Sequence, residues 1–427
     1  GRFDLQELAG LYPPLAGRVS GDFAVGGPPT EPDVDVTARG QALQFQDTSL
    51  DEVAVRAQVR ALGTKASSLQ FELRGLQQGE AFTGAVAGSL NGTRAAHRLD
   101  VDVEGEPASI ALSAEGSLND ELAWKGRLLS TRITAFDEVW HLAAPLALAW
   151  LPERQQLAVD AHCWQRRDAS LCLQEATQLG AEGEARVVLQ NYRLDWLVAR
   201  LPEGVFWDAP LGAEAYVAWG GESGPVAKLA LASDSGTVLI SQEGAPALEL
   251  SYRSLGARLD VENGRFALAF DLESEQLGDA DLSLQTTLGE GPRPLAGEVR
   301  LEGLQLALVQ PFVPQLQNIA GSLHVAGRLG GTTEAPTFNG DAGLQADKIN
   351  MPAVPLRIGA VELNATMAGQ EGSFEGSFDS GRGSADISGS FAWGGGDWRF
   401  DAAVTGDRLS VVYRPLVDLS VSPDLSI

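Results

Sequence analysis

Alternation of apolar and polar residues, repeated from one end of the chain to the other, constrains this sequence more than any other feature. In Val53-Ala54-Val55-Arg56-Ala57-Gln58-Val59-Arg60 every second side chain falls on one face, and Leu99-Asp100-Val101-Asp102-Val103-Glu104 sets a row of acids opposite a row of aliphatics. The same period of two runs through Leu69-Gln70-Phe71-Glu72-Leu73-Arg74, Leu248-Glu249-Leu250-Ser251-Tyr252-Arg253, residues 266–273, Leu282-Ser283-Leu284-Gln285 and Trp398-Arg399-Phe400-Asp401. A period of two belongs to strands. One dry face against one wet face marks antiparallel sheet, because strands of a parallel sheet covered on both sides read as unbroken apolar runs.

Glycine punctuates these runs: 49 of 427 residues, well above the usual ~7%, recur between the alternating segments with 21 prolines. This is the spacing of an all-β chain with many turns. No low-complexity linker divides it, so the expectation is one elongated unit over residues 1–427, with approximate repeats at 1–190, 191–300 and 301–427. Three segments have helical spacing: Leu5, Leu8 and Tyr12 ahead of Pro13-Pro14; Leu194, Leu197, Val198 and Leu201 ahead of Pro202; and Leu304, Leu308 and Phe312 around Pro311. Each predicts a short amphipathic helix stopped by proline, followed by a glycine (Gly17, Gly212, Gly321) that opens a run of strands. Residues 16–32 lie without gaps on residues 320–336 in their glycine, proline and apolar skeleton, which indicates repeated architecture and not a repeated catalytic group.

Roughly thirty short strands in one sheet, at ~4.8 Å each, would extend on the order of 140 Å and could not bury one face in a single compact core. The sheet must fold over along its length, as a closed sandwich or as an open trough. Its inward residues are the candidate site: Val55, Val59, Phe71, Val101, Val103, Leu112, Leu250, Val261, Leu268, Phe270, Leu284, Leu301, Phe374, Phe378, Phe391 and Phe400. Acyl chains need continuous apolar surface and no directional bonds, which such a ladder supplies. The same ladder would also fill a sandwich core, so alternation identifies the dry face and leaves its occupant open.

Charge narrows the partners. With 57 Asp+Glu against 31 Lys+Arg the formal net charge is -26, and only four lysines occur. This excludes a nucleic-acid binder and a polybasic grip on an anionic membrane. The longest apolar run, residues 142–151, contains Pro145 and is too short to span a bilayer as a helix. Gly1-Arg2-Phe3-Asp4 does not read as a secretory signal, so any membrane anchor of a parent protein is expected outside this chain.

Cys163 and Cys172 flank a segment in which a turn near Arg167-Asp168 would bring them opposite each other on a hairpin. A disulfide is expected, and with it an oxidising compartment such as the periplasm; buried reduced thiols are the alternative. No metal site is expected: His162 adjoins Cys163, but His97, His141 and His324 are scattered.

The segments Trp140-His141-Leu142-Ala143-Ala144-Pro145-Leu146, Cys163-Trp164 and Ala169-Ser170-Leu171-Cys172-Leu173, with the stretches at 382–389 and 421–425, resemble the TamB family. These are inner-membrane subunits of the translocation and assembly module of Gram-negative bacteria, within the wider AsmA-like group. The resemblance implies a central to C-terminal periplasmic fragment with a folded-over, taco-like β-groove. It implies phospholipid transfer between the membranes, or outer-membrane protein assembly and secretion. It also implies a TamA-like outer-membrane barrel as partner, met through parts of the protein outside this chain.

Enzymatic readings find little in the residues. Nucleophile-elbow, Walker, dinucleotide-loop and H-E-x-x-H patterns are all missing, and no cofactor is implied. The rival reading is a carbohydrate-active β protein using Asp100 and Glu104 as acid and base. A third is a scaffold whose sheet edges recruit outer-membrane protein clients by strand addition.

Overall fold

The structure, a computed structural model, describes residues 1–5, 15–79, 81–135, 138–193, 204–221, 224–241, 247–308, 317–350, 358–394, 397–413 and 417–426. It divides into two units, Gly1–Val188 and Leu189–Ile427. Nearly every described element is an antiparallel strand, as the alternation requires.

The first unit opens with β1 (Arg2–Leu5), β2 (Leu15–Gly26), β3 (Asp33–Phe45), β4 (Thr48–Val59) and β5 (Ser67–Gln78). It continues with β6 (Phe82–Thr93), β7 (Ala96–Glu106), β8 (Ala108–Leu118) and β9 (Trp124–Ala135). Each pairs antiparallel with the next. Bulges interrupt the ladder between Ala16 and Arg18, between Leu73 and Leu76, and between Ser113 and Ala114. An extra residue on one strand bends it and deepens its twist, so these positions curve the sheet across its strands.

After β9 the strands shorten. They are β10 (Glu138–Leu142), β11 (Leu146–Leu151), β12 (Gln156–Val159), β13 (His162–Arg166), β14 (Ala169–Leu173) and β15 (Thr177–Leu179), followed by β16 (Gly183–Arg193). Two short strands here do the work of one long one: β10 pairs with one half of β9, His141 opposite Arg132, and β11 with the other, Trp150 opposite Trp124. The break between them holds Pro145, which has no N–H to give the ladder. Cys163 and Cys172 stand directly opposite each other on β13 and β14, 4.0 Å apart at Cα, and are joined by the expected disulfide. Beside it, Arg166 and Glu138 form a buried ion pair at 3.1 Å.

In the second unit the strands are β17 (Val205–Asp208), β18 (Pro210–Trp219), β19 (Val226–Ser233), β20 (Gly236–Ile240), β21 (Leu248–Tyr252) and β22 (Ser254–Glu262). Then come β23 (Arg265–Glu273), β24 (Asp279–Thr287), β25 (Ala296–Gln305), β26 (Gln317–Gly331) and β27 (Pro336–Asn350). The last are β28 (Ile358–Gly369), β29 (Glu371–Gly394), β30 (Asp397–Tyr413), β31 (Val417–Val421) and β32 (Asp424–Ser426). A main ladder runs β18–β19–β22 and then in chain order to β30, which carries both β31 and β32. Strands β17, β20 and β21 form a separate three-stranded sheet.

The 24-residue β29 turns a corner. Its first part pairs with β28 and its second with β30, with a register shift between Gly381 and Ser384. Phe374 and Gly389 are fifteen positions apart, which on a straight strand would separate them by about 50 Å. Instead a Cβ on Gly389 would lie 2.5 Å from the Phe374 ring, and Phe374 stacks on Phe400 with ring centres 5.4 Å apart. Gly381, at φ +68, supplies a left-handed conformation that most side chains resist, beside the wholly buried Ser380. The two legs of β29 therefore bring apolar faces together, and only glycine at 389 leaves room for the ring.

The expected helices are corrected where residues are described. Leu5 closes β1, and Leu304 sits in β25 opposite Leu323. Leu308 ends a 3-10 turn, Leu306–Leu308, whose Leu306 and Ala307 are buried. Leu306 packs with Ile319 and Ala346, so local helical spacing yields here to burial beneath the sheet. The rest of these segments, and all of the one at 194–201, lies outside the described residues. The helical elements among the described residues are this turn and one at Ala61–Gly63.

Gly389→Val should cost about 1–3 kcal/mol by overpacking against Phe374, read as a lower urea midpoint, whereas Gly26→Ala, with nothing within 4 Å of the added carbon, should leave it unchanged. Reducing Cys163–Cys172, or replacing both by serine, should lower stability by roughly 2–3 kcal/mol, since the bridge constrains the unfolded chain. An unchanged midpoint under reductant would show that the bridge adds nothing.

Candidate functional site

Residues directly opposite in an antiparallel pair project to the same face, so the strand registers determine whether separate alternations merge into one surface. In the first unit they merge. Ala38 opposes Val55, Val55 opposes Phe71, Phe71 opposes Gly88, Gly88 opposes Val101 and Val101 opposes Leu112. The neighbouring row runs Val53, Leu73, Val86, Val103, Ile110, Ile133, and the row on the other side runs Ala57, Leu69, Leu90, Leu99, Ala114, Leu128. The reverse face takes Arg56, Gln70, Ser89 and Asp100 in one row. Val55, Val59, Phe71, Val101, Val103 and Leu112 are thus brought onto one apolar face of β4 to β8, each half-buried.

A second apolar face forms in the second unit. Val261 opposes Phe266, Leu268 opposes Leu284, Phe270 opposes Leu282, and Ala280 opposes Leu301. Leu268 and Leu282 remain 38% and 36% exposed, high for leucines in the middle of a sheet. Phe374 opposes Ala365, Phe378 opposes Val361, and Phe391 opposes Phe400. Here the face closes on itself: Phe374 is buried between the stacked Phe400 and the nearby ring of Phe391, although Phe400 stays exposed on its other side.

Leu250 is not brought onto this face. It belongs to β21 in the three-stranded sheet, where it is buried with Ala209, Ile240, Tyr252 and Leu277. Trp207, Val238 and Leu250 oppose one another across that sheet, and its apolar side packs on Leu255 and Leu272 of the main ladder. The Tyr252 hydroxyl accepts from Trp207 Nε1 at 3.0 Å and bonds Ser233 Oγ at 2.9 Å, which pins the small sheet in place. The small sheet therefore covers the rim row Leu255–Leu272 and leaves the rows of Leu268 and Phe270 to one side. Alternation in 248–253 announced a strand correctly, but its spacing carries no information on which sheet the strand joins.

One concave apolar site lies in the first unit, a cleft of ≈ 490 Å³ where the side chains of Val59, Leu90, Leu99, Ala114, Leu118 and Trp124 converge. Trp124 Nε1 donates to His97 Nε2 at 2.8 Å, and His97 Nδ1 lies 3.0 Å from the Thr93 carbonyl. His97 shares the parity of Leu99, Val101 and Val103, so its inward position was available to sequence reasoning; its tryptophan partner, distant in the chain, was not.

Asp100 and Glu104 do not form a glycosidase pair. Asp100 and Glu104 are four residues apart on β7, about 13 Å along a strand, beyond the spacing of roughly 5–9.5 Å that such chemistry uses. Asp100 is also held below the ordinary carboxylate range, first by the hydrogen bond from Ser113 Oγ (2.7 Å) and then by Arg98, which suits a permanent anion and not a proton donor. Cys163 is spent in its disulfide, and among the described residues no group of His, Cys, Asp and Glu could hold a metal ion.

Residues 1–344 match the family described as TamB, N-terminal domain. The chain is 22% identical over 426 residues to the translocation and assembly module subunit TamB of Haemophilus influenzae (strain ATCC 51907 / DSM 11121 / KW20 / Rd), covering 98% of this chain and 32% of that relative. The chain thus spans about a third of the length of the curated relative it matches. No solved structure matches it.

Because its folded-state pKa is depressed, Asp100 adds stability that is present above its unfolded-state value, near 3.9, and is lost as pH falls through the folded value. Ser113→Ala should move the Asp100 titration midpoint upward, followed by carboxyl-carbon NMR, and should shrink the stability gap to the parent protein as the solution is acidified. A midpoint unmoved by the substitution would assign the shift to Arg98 instead.

Proposed function

The chain belongs to the TamB family, and from that premise we propose that its apolar faces carry phospholipid acyl chains through the periplasm, between inner and outer membranes, in support of outer-membrane biogenesis. The observation that carries this reading is the in-register merging of apolar rows across successive strands, with leucines such as Leu268 left more than a third exposed. A soluble protein has little reason to keep such a surface unless something apolar visits it. Transport along it needs no catalytic group: a hydrocarbon chain gains from contact with any part of the face and loses little by moving one strand, ~4.8 Å, further on. Polar rows such as Arg56, Gln70, Ser89 and Asp100 on the reverse face keep that side wetted.

The function is non-enzymatic. The partners are the lipid itself and a TamA-like outer-membrane barrel, met through parts of the protein outside this chain. The Cys163–Cys172 bridge supports an oxidising compartment.

A photoreactive amino acid at Val101, Leu268 or Leu284 should capture radiolabelled phospholipid in intact cells, while Asp102, Ala267 and Gln285 on the reverse face should capture none. Equal labelling of both sets, or of neither, would overturn the lipid path. In the latter case the sheet edges, with outer-membrane protein clients added as strands, become the reading to pursue.

A further inference from the structure

The cleft beside Trp124 is concave, predominantly apolar and ends at a charged mouth. Its polar side chains are already engaged with one another. The Trp124 indole and His97 satisfy each other, and His97 turns its second nitrogen to the Thr93 carbonyl. Ser67 Oγ accepts from the Arg60 amide and donates to the Lys65 carbonyl. Nothing inside calls for a polar ligand, and at ≈ 490 Å³ the space lies within the usual range for a small molecule.

Its lip is built at a cost. Ala61, Leu62 and Gly63 are successive left-handed residues, with φ of 45°, 53° and 83°. Such conformations are unfavourable for non-glycine residues and persist only when their surroundings impose them. Here Asp33 Oδ1 accepts from the Ala61 amide at 2.9 Å, and the Gly63 carbonyl accepts from the Arg94 amide at 2.7 Å. The outcome is a leucine, Leu62, held 57% exposed over the cleft. At the mouth, Arg94 reaches the Asn119 carbonyl at 2.7 Å and lies 3.2 Å from the fully exposed Asp120. A pair so exposed is weakly bound and exchangeable.

We propose that this cleft seats one acyl chain of a zwitterionic phospholipid, with the headgroup phosphate at Arg94, its ammonium at Asp120, and Leu62 packed along the chain. The inference rests on the lipid reading above and adds a place and a headgroup to it. The rows of Leu90, Leu99 and Ala114 run from the apolar face into the cleft, so a chain on that face enters without crossing a polar barrier.

The test uses the full 427-residue chain labelled with 5-fluorotryptophan, its Trp124 resonance assigned with Trp124→Phe. Monomeric lysophosphatidylethanolamine should shift that resonance saturably. Leu62→Glu, at a position 57% exposed, should weaken the binding about tenfold. Lysophosphatidylglycerol, which lacks the ammonium, should bind several-fold more weakly. A Trp124 resonance that stays still while Leu284 is photolabelled by lipid would overturn the seat and leave the conduit standing. Silence at both positions would sink the two together. Equal affinity for both lysolipids would overturn the headgroup assignment, and unchanged affinity in Leu62→Glu would overturn the role of the lip.

Discussion

Everything described depends on strand register. Side chains alternate faces along a strand, so a slip of one residue between any two neighbours would send one strand's leucines to the wet side and its aspartates to the dry side. The chain avoids such slips for strand after strand: Val55 meets Phe71, Val101 meets Leu112, and Leu268 meets Leu284. The energetic reason is cooperative. Each apolar row is stabilised only when the rows on both sides are in step, and the polar and charged rows on the reverse face would be buried at high cost if they were not.

Curvature comes from local departures from that regularity. Bulges at residues 16–18, 73–76 and 113–114 bend the first unit without changing which face is dry. In the second unit two different devices cover apolar surface. The corner in β29 folds the sheet onto itself around Phe374, and the small sheet of β17, β20 and β21 lies over Leu255 and Leu272. Beside such covers the row of Leu268 stays more open, with Leu268 38% exposed against 8% for Phe374.

Much of this was legible in the residues. The alternation in 53–60 and 99–104 identified strands and the side chains that share a face, because period two is a direct consequence of backbone geometry. The cysteines were readable because a hairpin joining them needs only a local turn. What was not legible depends on contacts between distant parts of the chain. Leu250 reads like its neighbours in pattern yet belongs to another sheet, since pairing partners are not encoded in period. Leu304 and Leu308 have helical spacing yet end in a strand and a turn, because Leu323 stands opposite Leu304 and Leu308 packs on the core of the small sheet. The left-handed lip at Leu62 and the Trp124–His97 bond leave no mark in composition.

A sheet in which hairpin after hairpin presents the same dry and wet faces, as β4 to β8 do, has a consequence for its ancestry. Adding or removing two strands changes neither the identity of the faces nor the direction in which the chain leaves, and each added hairpin supplies about 10 Å of further surface. The skeleton shared by residues 16–32 and 320–336 fits growth by such copying. Length in a chain of this kind is an adjustable quantity, set hairpin by hairpin, in a way that a protein with one central core could not follow without redesigning its interior.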